Sequence, residues 1–128
     1  MAYSTIDKSS LFMNPKLYTG TSAEHSVTGV GFQPDWVWIK RRDGTYNHNL
    51  YDAARGTTKE INSNDTAAES TVAQGLTAFG ADGFTLGTDD QSNATGDTFV
   101  SWNWKAGTTS GLSGGTITPT AYSINTTS

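Results

Sequence analysis

Apolar residues along this chain alternate with polar ones over short runs, and the runs are separated by glycine-bearing turns. A period of two marks strands rather than helices. The clearest run is Asp35-Trp36-Val37-Trp38-Ile39-Lys40, entered through Pro34, where a proline can open a strand but not continue it. Alternation sets Trp36 and Trp38 on one face and Val37 and Ile39 on the other. Both faces are apolar, which predicts a central strand. Arg41-Arg42-Asp43-Gly44-Thr45 then supplies an Asp-Gly turn, and residues 46–52 return as the antiparallel partner.

Shorter runs flank this hairpin. Residues 16–20 and Ser26-Val27-Thr28 predict two early strands, and Ile61 predicts another. Asn64-Asp65-Thr66-Ala67-Ala68-Glu69 reads as a capped single helical turn. Residues 76–79 and 84–86 flank Gly80-Ala81-Asp82-Gly83, a second hairpin whose turn again carries Asp-Gly. A polar loop over 88–96 leads into Thr98-Phe99-Val100-Ser101-Trp102-Asn103-Trp104-Lys105, with Val100, Trp102 and Trp104 on one face opposite Phe99, Ser101 and Asn103. The expected architecture is an all-β antiparallel sandwich, jelly-roll or concanavalin-like, with at most one short helix. Residues 1–16 read as an N-terminal arm, 17–107 as the sandwich, and 108–128 as a Gly/Ser/Thr-rich linker that opens a further strand or repeat.

Composition narrows the classes. Hydrophobic residues make up only 34% of the 128, but 11% are aromatic and four are Trp, enough bulk to close one core. A formal charge of −4 offers no basic footprint for nucleic acid or an anionic membrane surface. Without cysteine there are no disulfides, thiolate nucleophiles or Cys-ligated zinc. The first residues lack the apolar core of a signal peptide, and no run is long enough to insert into a membrane, so the chain reads as made in the cytoplasm from an authentic start.

Several ordered segments carry a resemblance. They are Leu17-Tyr18-Thr19-Gly20; residues 29–40, Gly-Val-Gly-Phe-Gln-Pro-Asp-Trp-Val-Trp-Ile-Lys; Asn47-His48-Asn49-Leu50-Tyr51-Asp52 with Arg55-Gly56; Asp82-Gly83-Phe84-Thr85-Leu86-Gly87; and residues 99–107. Together, over residues 3–107, the chain resembles a domain of marine bacteriophage virion proteins, found in tail-fibre-like or particle-surface chains beside lectin-like modules. The resemblance implies a structural protein of the virion with a concanavalin-like or jelly-roll sandwich, and it brings no catalytic residues. It also implies other virion subunits as partners, a homo-oligomer with a trimer favoured for a fibre, and further β repeats beyond this chain.

The chemistry of individual residues points the same way. Glycoside hydrolysis needs two carboxyls flanking one bond, yet no predicted strand carries acids at i and i+2, and the expectation is no enzyme. His25 and His48 read as solvated or hydrogen-bonded structural residues, and residues 88–93 with Asp97 read as a solvated turn without the ordered spacing of a calcium loop. No cofactor or metal site is expected. Asp52 and Arg55 are set to form an ion pair at the hairpin end. The Trp36/Trp38 and Trp102/Trp104 pairs carry the most chemical potential. Because Trp is mostly buried in domains of this size, both pairs are expected to face inward and form the core. Recognition of a host-surface glycan requires at least one pair in solvent, and its candidate contacts, to sugar or to a protein partner, are Trp36, Trp38, Tyr46, His48, Trp102 and Trp104.

Overall fold

The computed structural model describes residues 8–106. The chain enters through a 3-10 turn at Ser9–Leu11 and then forms β1 (Lys16–Thr19), β2 (His25–Val27), β3 (Trp36–Arg41), β4 (Asn49–Asp52) and β5 (Lys59–Asn62). It continues through β6 (Ser70–Thr71), β7 (Leu76–Gly80), β8 (Gly83–Leu86), the short helix α1 (Asp90–Asn93) and β9 (Thr98–Trp104). Six strands make one antiparallel sheet in the order β1-β9-β3-β4-β5-β6, and three make the other in the order β2-β8-β7. This is an all-β antiparallel sandwich with one short helix. The β3 strand is interior to its sheet, as its two apolar faces predict.

The core lies between the sheets. Val37, Ile39, Tyr51 and Phe99 come from the large sheet and meet Val27, Leu76, Phe84 and Leu86 from the small one. Tyr18 stacks on Phe99 with ring centroids 5.2 Å apart, extending the core beneath β1. The inward face of β9 carries Ser101 and Asn103 after Phe99, and both are buried. Asn103 is accommodated because its amide donates to the Asn14 carbonyl at 2.9 Å and to Ser101 Oγ at 3.0 Å. A polar pair can therefore occupy the interior position expected for indoles.

That arrangement reverses the expectation for the tryptophans. Val37 and Ile39 are fully buried, so β3 turns Trp36 and Trp38 to the outer face, and Trp102 and Trp104 follow them on β9. The pairs are not the core. The expected helical turn at residues 64–69 is also absent: Asn64 instead accepts the His48 N–H and donates to Asn47, while Asp65 caps the Ala67 N–H. Side chains of this kind, bonding to nearby backbone, draw a segment away from helix. The helix forms at Asp90–Asn93, inside the stretch expected to be a polar loop.

Within the expected arm, residues 8–16 run beside β9. Asn14 donates its N–H to the Asn103 carbonyl, the Lys105 N–H reaches the Phe12 carbonyl, and Met13 bridges Trp104. Residues 1–7 and the expected linker and strand of 108–128 lie outside the described residues.

Candidate tryptophan face

Strand register turns the outward residues into rows. Trp104 pairs with Trp36 and Trp36 with Asp52, making one row across β9, β3 and β4. The next row runs Trp102, Trp38, Leu50, Ile61, and the third Leu17, Val100, Lys40. Side chains directly opposite on one sheet face touch, so aromatic residues in register must pack on each other. Trp36 and Trp104 stack with centroids 4.5 Å apart, Trp38 and Trp102 meet edge to face at 5.7 Å, and Trp36 and Trp38 are tilted at 6.3 Å. The four indoles thus form one continuous surface. It is partly in solvent: Trp36 is 36% exposed and the other three are less so, while Leu17, in the third row, is 66% exposed.

The six sequence-predicted contacts divide. His48 joins the tryptophans, its ring 5.7 Å from Trp38, and its Nδ1 accepts the Trp38 indole N–H at 3.1 Å. That bond places the proton of the neutral imidazole on Nε2. Tyr46 stands apart, at the opposite end of β3 from Trp36, where the Arg41 guanidinium lies 4.9 Å over its ring. Arg41 is held in turn by Asp43 and Asp97, each at 2.7 Å.

Two recesses open on this face. One, of about 300 Å³, is lined by Met13, Trp38, Trp102 and Trp104 and is almost wholly apolar. The other, of about 500 Å³, is lined by Asp35, Trp36, Asp52, Ala54, Trp104, Lys105 and Ala106. Its carboxylates are held from behind. Asp52 accepts the Arg55 N–H at 2.8 Å and the Arg55 Nε–H at 2.5 Å, the ion pair the sequence anticipated. Arg55 also donates from Nη2 to the Leu50 carbonyl and from Nη1 to Glu69. Asp35 accepts the Ala106 N–H at 2.8 Å, and its own N–H reaches the Trp104 carbonyl. Sequence reasoning took Asp52 and Arg55 as framework and passed over Asp35 and Lys105. The available signal was parity, since Asp52 sits opposite Trp36 once the hairpin register is drawn.

The remaining polar chemistry belongs to the framework. Asp82 accepts the N–H groups of Gly29 and Gly31, which hold its carboxyl below the usual range, and so fastens the loop before β3. Asp43 is lowered to about 2, first by the Arg41 hydrogen bond and then by the Thr98 N–H. Burial raises Asp89, where Ser92 Oγ donates to it. Burial also raises the Tyr18 and Tyr51 hydroxyls. His25 opens β2, its Nδ1 3.2 Å from the buried Asn93 side chain. Among the described residues no group of three or more His, Cys, Asp or Glu could hold a metal ion, and no helix is long and apolar enough to cross a membrane.

Residues 8–128 match the model of a family described as a domain of unknown function, DUF7483. The chain belongs to that family. No curated protein matches this DUF7483 chain, and no solved structure does. The family match runs past Ala106, the last described residue, to the end of the chain.

Proposed function

We propose that this DUF7483 chain is a non-enzymatic component of a bacteriophage particle, a tail-fibre appendage or a surface decoration, that recognises a host-surface glycan through its tryptophan face. The observation that carries the reading is the outward placement of all four tryptophans as one partly exposed aromatic surface. Contiguous apolar patches on soluble domains mark binding sites far more often than scattered exposed residues do. Indoles bring a large flat face at low conformational cost. The assignment to a phage particle rests on the sequence resemblance described above. A glycan array read with the full chain, followed by titration of its tryptophan emission, tests the proposal. Saturable binding that changes the emission supports it, and an array without a hit sinks it.

Subunit assembly is the second reading, favoured by the apolar recess of Met13, Trp38, Trp102 and Trp104 and by the exposure of Leu17 on the same face. It makes the chain a homo-oligomer, a trimer in a fibre, bound to other virion subunits. Light scattering on the full chain and on its Leu17→Ser variant separates the readings. A wild-type oligomer that the substitution dissociates supports assembly, whereas a monomer at high concentration removes it.

A further inference from the structure

We infer that the recess at the Trp36–Trp104 end of the face is the primary saccharide subsite and that it takes a neutral pyranose; this rests on the glycan reading above. Three properties of the recess set it apart from the rest of the face. The first is its mixed chemistry. A pyranose presents a face of C–H groups and an edge of hydroxyls, so it needs an aromatic plane beside fixed hydrogen-bonding groups. The Trp102–Trp38–Leu50–Ile61 row has only the His48 ring beside it as a polar group, whereas the Trp104–Trp36–Asp52 row ends in a carboxylate.

The second is preorganisation. Arg55 fixes both oxygens of Asp52 from behind, at 2.8 and 2.5 Å. Each carboxylate oxygen has a second lone pair, so Asp52 keeps acceptor capacity for sugar hydroxyls after Arg55 is satisfied. Asp35, in the same lining, is tied to the Ala106 N–H. Neighbouring strands lie about 4.8 Å apart, so the row across three strands spans roughly 10 Å, room for one or two pyranose rings. The volume of about 500 Å³ agrees.

The third is charge. Asp35 and Asp52 line the recess with Lys105, and Arg55 pairs Asp52 and Glu69 beside it, so carboxylates outnumber cations around the recess in a chain of net charge −4. Sialylated, uronic or sulfated sugars would bring a further negative charge beside these carboxylates and are disfavoured. Neutral hexoses and their N-acetyl derivatives are not.

The test uses the full chain against neutral and acidic oligosaccharides, with Trp36→Ala, Trp36→Phe and Asp52→Ala compared with wild type and with Thr28→Ala, an exposed position just after β2 of the other sheet. Neutral glycans should bind and acidic ones should not. Losing a stacking ring or a charged acceptor should weaken binding about tenfold or more, with Trp36→Phe intermediate and Thr28→Ala unchanged. Far-UV circular dichroism confirms that each variant is folded, and should Trp36→Ala fail that check, Trp36→Phe and Asp52→Ala carry the decision. Preference for acidic glycans overturns the inference. Wild-type affinity in the Trp36 and Asp52 variants, with loss on substituting Trp38 or Trp102, also overturns it while leaving the glycan reading intact. If no glycan binds the wild type, both fall together.

Discussion

Tyr51→Phe removes a buried hydroxyl that pins the strand pair carrying Asp52 through Glu60 and also meets the Leu76 backbone. Tyr51 is fully buried on β4, Glu60 is 2% exposed on β5, and the tyrosine hydroxyl donates to Glu60 Oε2. Removing that hydroxyl leaves Oε2 inside the sandwich without its donor, while Oε1 keeps the Asn62 side chain at 3.2 Å. A lost charge-assisted bond with a buried acceptor left behind costs about 2–3 kcal/mol. For a domain of this length that lowers Tm by roughly 8–12 °C. The asymmetry is sharper than the single value. Glu60→Leu strands the hydroxyl, but the double variant removes both partners, so the coupling in a double-mutant cycle should be about 1–3 kcal/mol. Urea unfolding at neutral pH, followed by far-UV circular dichroism, reads all four proteins. A Tyr51→Phe cost below about 0.5 kcal/mol, with no coupling to Glu60, would refute the claim that this bond is dry and structural.

Other consequences are quicker to check. Asp43 has its carboxyl lowered from 3.8 to about 2 in the folded protein, so its contribution to stability is complete above the unfolded value and is lost as pH falls through the folded one. Urea midpoints measured from pH 5 to pH 2 should fall, and Asp43→Asn should flatten the fall; an unchanged slope counts against the Arg41–Asp43–Thr98 cluster. Gly83 has φ +149°, and a Cβ there would meet the Val27 carbonyl oxygen across the β2–β8 pair. Gly83→Ala should therefore cost about 2 kcal/mol or more, and a near-neutral effect in urea unfolding would contradict that contact. Because the indoles are partly in solvent, acrylamide should quench the tryptophan emission of the native chain more than it quenches buried tryptophan. Emission as protected as that of buried tryptophan would mean that the face is covered.

Much of the fold is legible in the sequence, and the part that is not has a specific cause. The Asp43-Gly44 and Asp82-Gly83 turns locate both hairpins, and the alternation of β3 and β9 correctly sorts Trp36 with Trp38 and Trp102 with Trp104. Alternation says which residues share a face but not which face is the interior. On β3 both sets are apolar, so only bulk argues, and bulk argues for the indoles. The decision is made elsewhere, by the hydrogen bonds that let Ser101, Asn103 and Asn49 be buried, and a hydropathy pattern does not show them. The helix was misplaced for a related reason. Residues 64–69 have capping residues, but their side chains are committed to the loop before β4, whereas Asn93 at the end of α1 is drawn inward by the Ala23 and Gly87 carbonyls.

The tryptophan face admits a purely structural explanation, and it can be separated from recognition. Cross-strand aromatic pairs stabilise a sheet by about 0.2–1 kcal/mol each, so Trp36 opposite Trp104 and Trp38 opposite Trp102 would strengthen the β3–β9 pair even if they bound nothing. A structural role alone, however, asks only for residues that suit a pleated, half-buried surface. It does not ask for Asp52, locked by Arg55, at the end of the same row. Trp36→Val keeps β-branched strand chemistry at the most exposed of the four tryptophans while deleting the indole plane. A structural face predicts a loss in urea unfolding with no change in any ligand titration. A recognition face predicts the reverse proportion: a stability loss of about 1–2 kcal/mol at most, set by the Trp104 stack and partial burial, and a loss of glycan affinity of about tenfold or more. Equal glycan affinity in the two proteins would return Trp36 to the structural role, and the Asp52–Arg55 pair with it.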